Sequence, residues 1–472
     1  MPSMPPGTVT SGRPQSFRLT GSVELICFAL CLAQCVYLVA SLFQGSWIID
    51  ASGQRIATDF VNVWASGRQV LAGDPAGAYD PAIHKDAEVA AIGHPFAGEY
   101  PWIYPPTFLF VATLLAALPF VSAHVAWIVL TFPVYVSAVR AIIGQRAGIL
   151  LACAFPGVLS NAVVGQNGFA TAGLIGGALV LLERSPMLAG CCIGLLTFKP
   201  HLGILFPVVL AAGGHWRAMA SAATVTALLA LASCVAFGME SWHAFLQSLP
   251  AASQAALTQG RADWAKLQSI FAVARLAGGS VALAWTLQLV FASTVAILLY
   301  AMWRSKISSD LKAAGLATGA LLVTPYLFVY DLVVLAVPMA FLIRIGGSVG
   351  FMRGEMLAIG FASFSCSHIS VGYCPGWSGS HPAGRPGDCP SRASRARRPG
   401  RFVGLPGFAG FAAGGSRQPI YRGNCRRGPR NQDDRVSAIV SFFACCARMS
   451  GASFTLAGGF IATPFWRGMT CT

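Results

Sequence analysis

Charge is what this chain has least of. Only 10% of its 472 residues are Asp, Glu, Lys or Arg, and just five of them are lysine. A soluble domain gives about 25% of its residues to charge, so a surface covered by water is excluded. Zinc-ligand spacing of Cys and His is also missing. The 14 cysteines do not read as a disulfide framework either: Cys27, Cys31, Cys35, Cys153, Cys191, Cys192 and Cys234 all sit in apolar runs, where cysteine packs as a small hydrophobe. A divalent ion would want two or more convergent carboxylates. Beyond Asp59 none is clearly placed, so neither a metal nor another cofactor is expected, and nothing points to nucleic acid. No second half resembles the first.

Apolar sequence fills the space. Hydrophobic residues make up 55% of the chain, with a mean hydropathy of +0.63. Runs such as VELICFALCLAQCVYLVASLF (23–43), MASAATVTALLALASCVAFGM (219–239) and VALAWTLQLVFASTVAILLYAMW (281–303) recur. Each can cross a hydrocarbon core of ~30 Å as a helix. The expected fold is therefore all-α, a polytopic transmembrane bundle of about ten crossings. Residues 1–22 carry Arg13 and Arg18 and no acid. With the long apolar run behind them they read as a cytoplasmic segment before a first anchoring helix, not as a cleaved signal.

The membrane domain is expected over 23–350, and the text changes after it. Residues 351–472 contain fifteen Arg, no Lys and four acids, among abundant Gly, Pro and Ser. Such a low-complexity basic tail reads either as a disordered segment held by anionic lipid or as out-of-frame translation. Arginine without lysine, with scattered Cys and Trp, favours the second, and no function is assigned there.

Acids concentrate in one place. The stretch 44–106 holds Asp50, Asp59, Asp74, Asp80, Asp86, Glu88 and Glu99 against three basic residues, whereas the short connections carry Arg140, Arg146, Arg184, Arg217, Arg304, Lys306, Lys312 and Arg344. The inward bias of positive charge puts those connections in the cytoplasm. It puts two long loops, about 44–106 and 240–280, outside. The polar interruptions of the apolar runs then fall on that outer side: Asp59, Tyr104-Pro-Pro, Gly165-Gln-Asn, Lys199-Pro-His, the Arg261–Lys266 region and Thr324-PYLFVY-Asp331. Polar groups at membrane depth are costly and mark sites, so one outer cavity is expected. The break at Leu118–Pro119 suggests that the stretch YPPTFLFVATLLAALPF (104–120) is partly re-entrant or interfacial.

The order of these motifs resembles bacterial glycosyltransferase family 87, which includes polyprenol-phosphate-mannose-dependent mannosyltransferases, over about residues 20–345. The resemblance implies a GT-C architecture and a hexose donor, mannose by default, carried on a polyprenyl phosphate. It also implies a glycolipid or polysaccharide acceptor, a bacterial inner-membrane location and an extracytoplasmic active site surrounded by membrane lipids. Asp59 matches the family's general base and would take a proton from the acceptor hydroxyl. Its structural alternative is the N-cap of a helix ending at Gly73. Phosphate would be met by Lys199, His201, Arg261, Lys266 or Arg275, although Lys199 could equally snorkel to the interface. Tyr104 would shape the rim. Gln166 and Asn167 would bond sugar hydroxyls or simply form a polar turn. Tyr326, Tyr330 and Asp331 complete the cavity, with a helix cap as the alternative for Asp331. Asp74 and Asp80 read as turn residues, and Asp86 and Glu88 as solvated. The rival readings are a secondary transporter, which would show two similar halves and a midplane site, and a non-catalytic envelope polysaccharide assembly factor, which would tolerate loss of the Asp59 carboxylate.

Overall fold

The computed structural model describes residues 21–352, 354, 355, 358–360 and 363. The expected N-terminal segment, apart from residues 21–22, and nearly all of the basic tail lie outside the described residues. Those described fall in one compact unit. Within it the chain is helical except for loops and a small hairpin, Ser46–Trp47 against Ile49–Asp50.

Five helices combine the length and the apolarity of a membrane span: Gly21–Phe43, Phe120–Ile143, Trp216–Thr258, Val281–Arg304 and Val329–Val349. A pair bent by 62°, Arg146–Ala154 and Gly157–Val164, makes a sixth if it is taken as one span. The first helix shows what such composition does. Leu25, Phe28 and Leu32 are each at least 65% exposed, an arrangement suited to lipid and costly in water. Only a few polar ties fix it inward: Gln34 Nε2 donates to Cys153 O at 3.3 Å, and Trp47 Nε1, just past its end, donates to Val163 O at 2.9 Å.

Four apolar helices are shorter: Pro106–Ala116, Gly168–Leu181, Pro186–Phe198 and Pro200–Gly213. At 1.5 Å per residue, a 14-residue helix covers only ~21 Å of the ~30 Å core. About ten crossings requires these to be counted as spans. Three of them begin at the polar interruptions, at Tyr104-Pro-Pro, Gly165-Gln-Asn and Lys199-Pro. Proline at the first helical position explains two of those starts, since its missing N–H would have no partner there. Pro119 likewise separates Leu109–Ala116 from Phe120–Ile143.

The segment after residue 240 is not the open loop that its polar residues suggest. The helix Trp216–Ser253 continues through it after a kink at Gly238, whose φ of 77° is left-handed, a conformation that glycine adopts without steric cost. A π-helical turn, Gln254–Thr258, follows. Helix beyond the kink is held because Phe245 packs edge-on against Tyr79 of the 44–106 loop, ring centroids 5.8 Å apart.

That first loop is itself well built. Asp74 accepts from Gly77 N at 2.9 Å. Asp80 caps Pro81–Ile92, accepting from Ala82 N and Ile83 N at 2.9 and 3.0 Å. Asp86 is exposed, but Glu88 corrects the expectation of a solvated carboxylate: it is 1% exposed. It accepts from Lys85 Nζ at 3.4 Å and Tyr100 N at 3.2 Å, and sits beside buried His84. A buried acid of this kind ties the helix Pro81–Ile92 to the strand of chain that leads into Tyr104.

Candidate functional site

Asp59 stands immediately before the helix Phe60–Leu71, in the N-cap position that its sequence suggests. Its side chain does not cap. Backbone angles there are already helical (φ −55°, ψ −23°), and no hydrogen bond runs from the carboxylate to the helix's first N–H groups. Instead Asp59 Oδ2 accepts from Gln166 Nε2 at 3.1 Å, across 107 residues of sequence.

Gly165 makes that approach feasible. Its φ is +70°, and it closes the helix Gly157–Val164 in the left-handed conformation. A Cβ there would lie 2.5 Å from His124 Nε2 and 2.8 Å from Phe60 Cβ, so any side chain would drive the turn away from the residue next to Asp59. Phe60 is fully buried and stacks on His124, centroids 4.7 Å apart. Burying such a ring contributes roughly 1.5–3 kcal/mol and fixes the start of the helix that carries Asp59.

From Gln166 the network continues. Tyr104 donates its hydroxyl to Gln166 Oε1 at 3.0 Å, and Tyr79 donates to Tyr104 O at 2.9 Å. Next in sequence, Asn167 is 2% exposed with both amide atoms unpartnered. Thr58 Oγ1, Trp102 Nε1, Thr107 Oγ1 and Asn161 Nδ2 are likewise buried without partners among the described residues. Buried polar atoms are normally satisfied; of these, Thr58 and Asn167 directly adjoin the bonded pair Asp59 and Gln166 in the chain.

Lys199 does not snorkel. It is 4% exposed and forms an ion pair with Asp331, which is 1% exposed. The second oxygen of Asp331 accepts from Phe328 N at 3.4 Å, so this residue supplies the cap as well as the counter-charge. Lys199 Nζ lies 5.3 Å from the centre of the Tyr330 ring, which stacks on Phe328. Tyr326 donates to Ser253 Oγ at 2.7 Å and sits near the His201 ring, 6.3 Å away.

The basic residues of the second loop separate clearly. Arg275 is used internally: it donates to Gly279 O at 2.8 Å and Thr258 O at 3.4 Å, and its guanidinium lies 4.4 Å from the Trp264 ring centre. Arg261 is exposed and meets Glu99 at 3.7 Å, a contact between the two long loops of the kind worth little in water. Lys266 is exposed and carried towards the site by backbone pairing, where Gln268 N donates to Leu327 O at 2.6 Å and Leu267 bridges Phe328.

Electrostatics tie these groups together. Burial raises the Asp59 pKa above the ordinary carboxylate value; the Gln166 hydrogen bond, then the charges of Lys266 and Lys199, act against that rise, and Asp331 adds to it. Burial pushes Tyr100 up to about 12, with the Asp59 charge as the next cause, and raises Tyr104 as well. Tyr100 was not expected in the site. Only its place four residues ahead of Tyr104 hinted at it. His124 gave no signal, because a lone histidine in an apolar run reads as core. The structure thus brings Asp59, Tyr104, Gln166, Asn167, Lys199, Tyr330 and Asp331 together, with Lys266 in electrostatic reach. His201 and Tyr326 lie alongside, while Arg261 and Arg275 are engaged elsewhere. Among the described residues no three His, Cys, Asp or Glu side chains converge as a metal site would require.

Apolar spans around one cluster of buried polar groups define an integral membrane protein with an internal polar site. Residues 102–327 match the model of glycosyltransferase family 87. Over that segment, a little under half of the chain, the protein is similar to this family, and the match supports a membrane glycosyltransferase. Asp59 precedes the matched segment, and Tyr330 and Asp331 follow it. Comparison with curated proteins and with solved structures gives no match.

Proposed function

We propose that the protein transfers a hexose, mannose by family default, from a polyprenyl-phosphate donor to a glycolipid or polysaccharide acceptor. The reaction would take place on the extracytoplasmic face of a bacterial inner membrane, with inversion at the anomeric carbon. The observation that carries this reading is the carboxylate of Asp59, released from helix capping and held instead by the buried amide of Gln166.

The chemistry follows from those positions. Asp59 takes the proton of the acceptor hydroxyl as its oxygen attacks the anomeric carbon. The bond from that carbon to the phosphate oxygen breaks on the opposite face, and the electron pair leaves with the polyprenyl phosphate. Lys266, whose charge acts on Asp59, is the cation we assign to offset charge on the departing oxygen. The orphaned amide of Asn167 supplies a donor and an acceptor for sugar hydroxyls. Raised affinity of Asp59 for protons suits a base that must pick one up and release it.

The test is sugar transfer in membranes supplied with radiolabelled polyprenyl phosphomannose or, separately, with a nucleotide-linked mannose. Product from the lipid donor alone is expected. Product from the nucleotide donor, in membranes unable to make the lipid donor, would overturn the proposal.

A further inference from the structure

Gln166 and Tyr104 were expected to line the sugar cavity, yet their polar atoms are turned towards one another and towards Asp59. This arrangement asks what an amide does when both its ends are engaged. Gln166 Oε1 faces two donors, the Tyr104 hydroxyl at 3.0 Å and the backbone N–H of Asn167 at 3.4 Å. A backbone N–H can only donate, so it fixes which end of the amide is oxygen. The other end, Nε2, therefore points a donor at Asp59 Oδ2. Amide orientation is ordinarily ambiguous; here the chain itself resolves it.

We infer that Gln166 is a positioning residue: a one-way amide, locked by Tyr104 and the Asn167 backbone, that occupies one oxygen of Asp59 and leaves the other for the acceptor hydroxyl. The amide reaches Oδ2, and the carboxylate makes no bond to the first N–H groups of the helix that follows. Binding one oxygen also restrains rotation of the carboxylate. The lock belongs to three separate parts of the chain, the residue before Phe60–Leu71, the Tyr104-Pro-Pro break and the turn after Gly165, and so couples the base to how those elements pack.

The same bond sets the acidity of the base. A donor on the carboxylate favours its charged form, in line with the direction in which Gln166 acts on Asp59. The other ionisable groups bearing on Asp59 are Lys266 and Lys199, which favour the anion, and Asp331, which disfavours it; Tyr100, Tyr104 and Tyr330 are the phenols that feel its charge. None of these is altered in charge by a change at Gln166, so the effect of that change can be read separately.

This inference rests on Asp59 being the base, and its test keeps the two apart. The pH dependence of transfer is measured for wild type, Asp59→Asn, Gln166→Leu, Gln166→Glu and Tyr104→Phe. Losing the donor in Gln166→Leu should move the acid limb of the profile to higher pH by about one unit or more, the worth of a hydrogen bond to a charged group. Gln166→Glu keeps the shape of the side chain and should move the limb further, because two neighbouring carboxyls disfavour a second charge. Tyr104→Phe, which leaves the Asn167 N–H in place, should shift it the same way by less. A merely structural role would lower the amount of active protein and leave the limb where it was. If Asp59→Asn is inactive and the limb stays put in Gln166→Glu and Tyr104→Phe, the positioning role is overturned and the base assignment survives. If Asp59→Asn still transfers sugar, the base assignment falls and the lock with it.

Discussion

Replacing Lys199 with Met would leave Asp331 buried without its counter-charge. Both partners are almost wholly enclosed, 4% and 1% exposed, so water cannot move in to solvate the survivor. Asp331 would retain only the long hydrogen bond from Phe328 N at 3.4 Å. Breaking a buried pair at one end costs about 3–5 kcal/mol, most of it the uncompensated charge. Asp331→Asn should cost a similar amount by stranding Lys199. The double replacement Lys199→Met with Asp331→Leu removes both charges and leaves only the Phe328 N–H without an acceptor, a loss of about 1–3 kcal/mol. The double variant should therefore be more stable than either single one. Thermal unfolding of detergent-solubilised protein, followed by size-exclusion fluorescence after heating, gives the ranking directly. Additive losses, with the double variant the least stable of the three, would refute the claim that these two residues form one buried unit.

Other outcomes follow from the same geometry. Gly165→Ala should sharply reduce transfer, because the added methyl meets Phe60 and His124 and moves the element carrying Asp59; assays at saturating donor would show it in the maximal rate. Gly238→Ala finds open space around its methyl, so its cost should come from the backbone alone: φ 77° with ψ 156° is a region almost reserved for glycine, worth about 1–3 kcal/mol and read as a fall in melting temperature. In the 44–106 loop, burial raises Glu88 to about 7 from 4.5 and lowers His84 to about 4 from 6.5. The folded state thus prefers both groups neutral. Stability linked to Glu88 is greatest below pH 4.5 and declines as pH rises to 7, whereas that linked to His84 is complete above pH 6.5 and lost as pH falls to 4. Glu88→Gln should abolish the decline towards neutral pH and keep the acid-side loss, which moves the pH of maximal melting temperature upwards.

Much of the architecture could be read from hydropathy, because in a bilayer the apolar run is itself the structural requirement. The break at Leu118–Pro119, the helix starts at Pro106 and Pro200 and the turns at Asp74 and Asp80 all follow from local chemistry visible in the sequence. Continuation of helix past Gly238 was hidden, since glycine and polar residues suggested a loop and only the packing of Phe245 on Tyr79 shows otherwise. Partnerships across long stretches of chain were hidden too. Lys199 and Asp331 are 132 residues apart and Gln166 and Asp59 are 107 apart, and no periodicity connects them. Among five basic residues offered for phosphate the sequence singled out Lys199 and could not choose between Arg261, Lys266 and Arg275. Burial sets Lys199, paired with Asp331, apart from exposed Lys266. Glu88 was misjudged because a carboxylate in a polar loop is ordinarily solvated, and its burial depends on Lys85, His84 and the Tyr100 backbone arriving together.

The most direct test of the account is transfer of labelled mannose from polyprenyl phosphomannose by Asp59→Asn, in protein that melts like wild type and still binds the lipid donor. Loss of transfer with folding and donor binding intact is the result expected of a residue that removes the acceptor's proton. Transfer at the wild-type rate would contradict the account, whatever else the cavity holds.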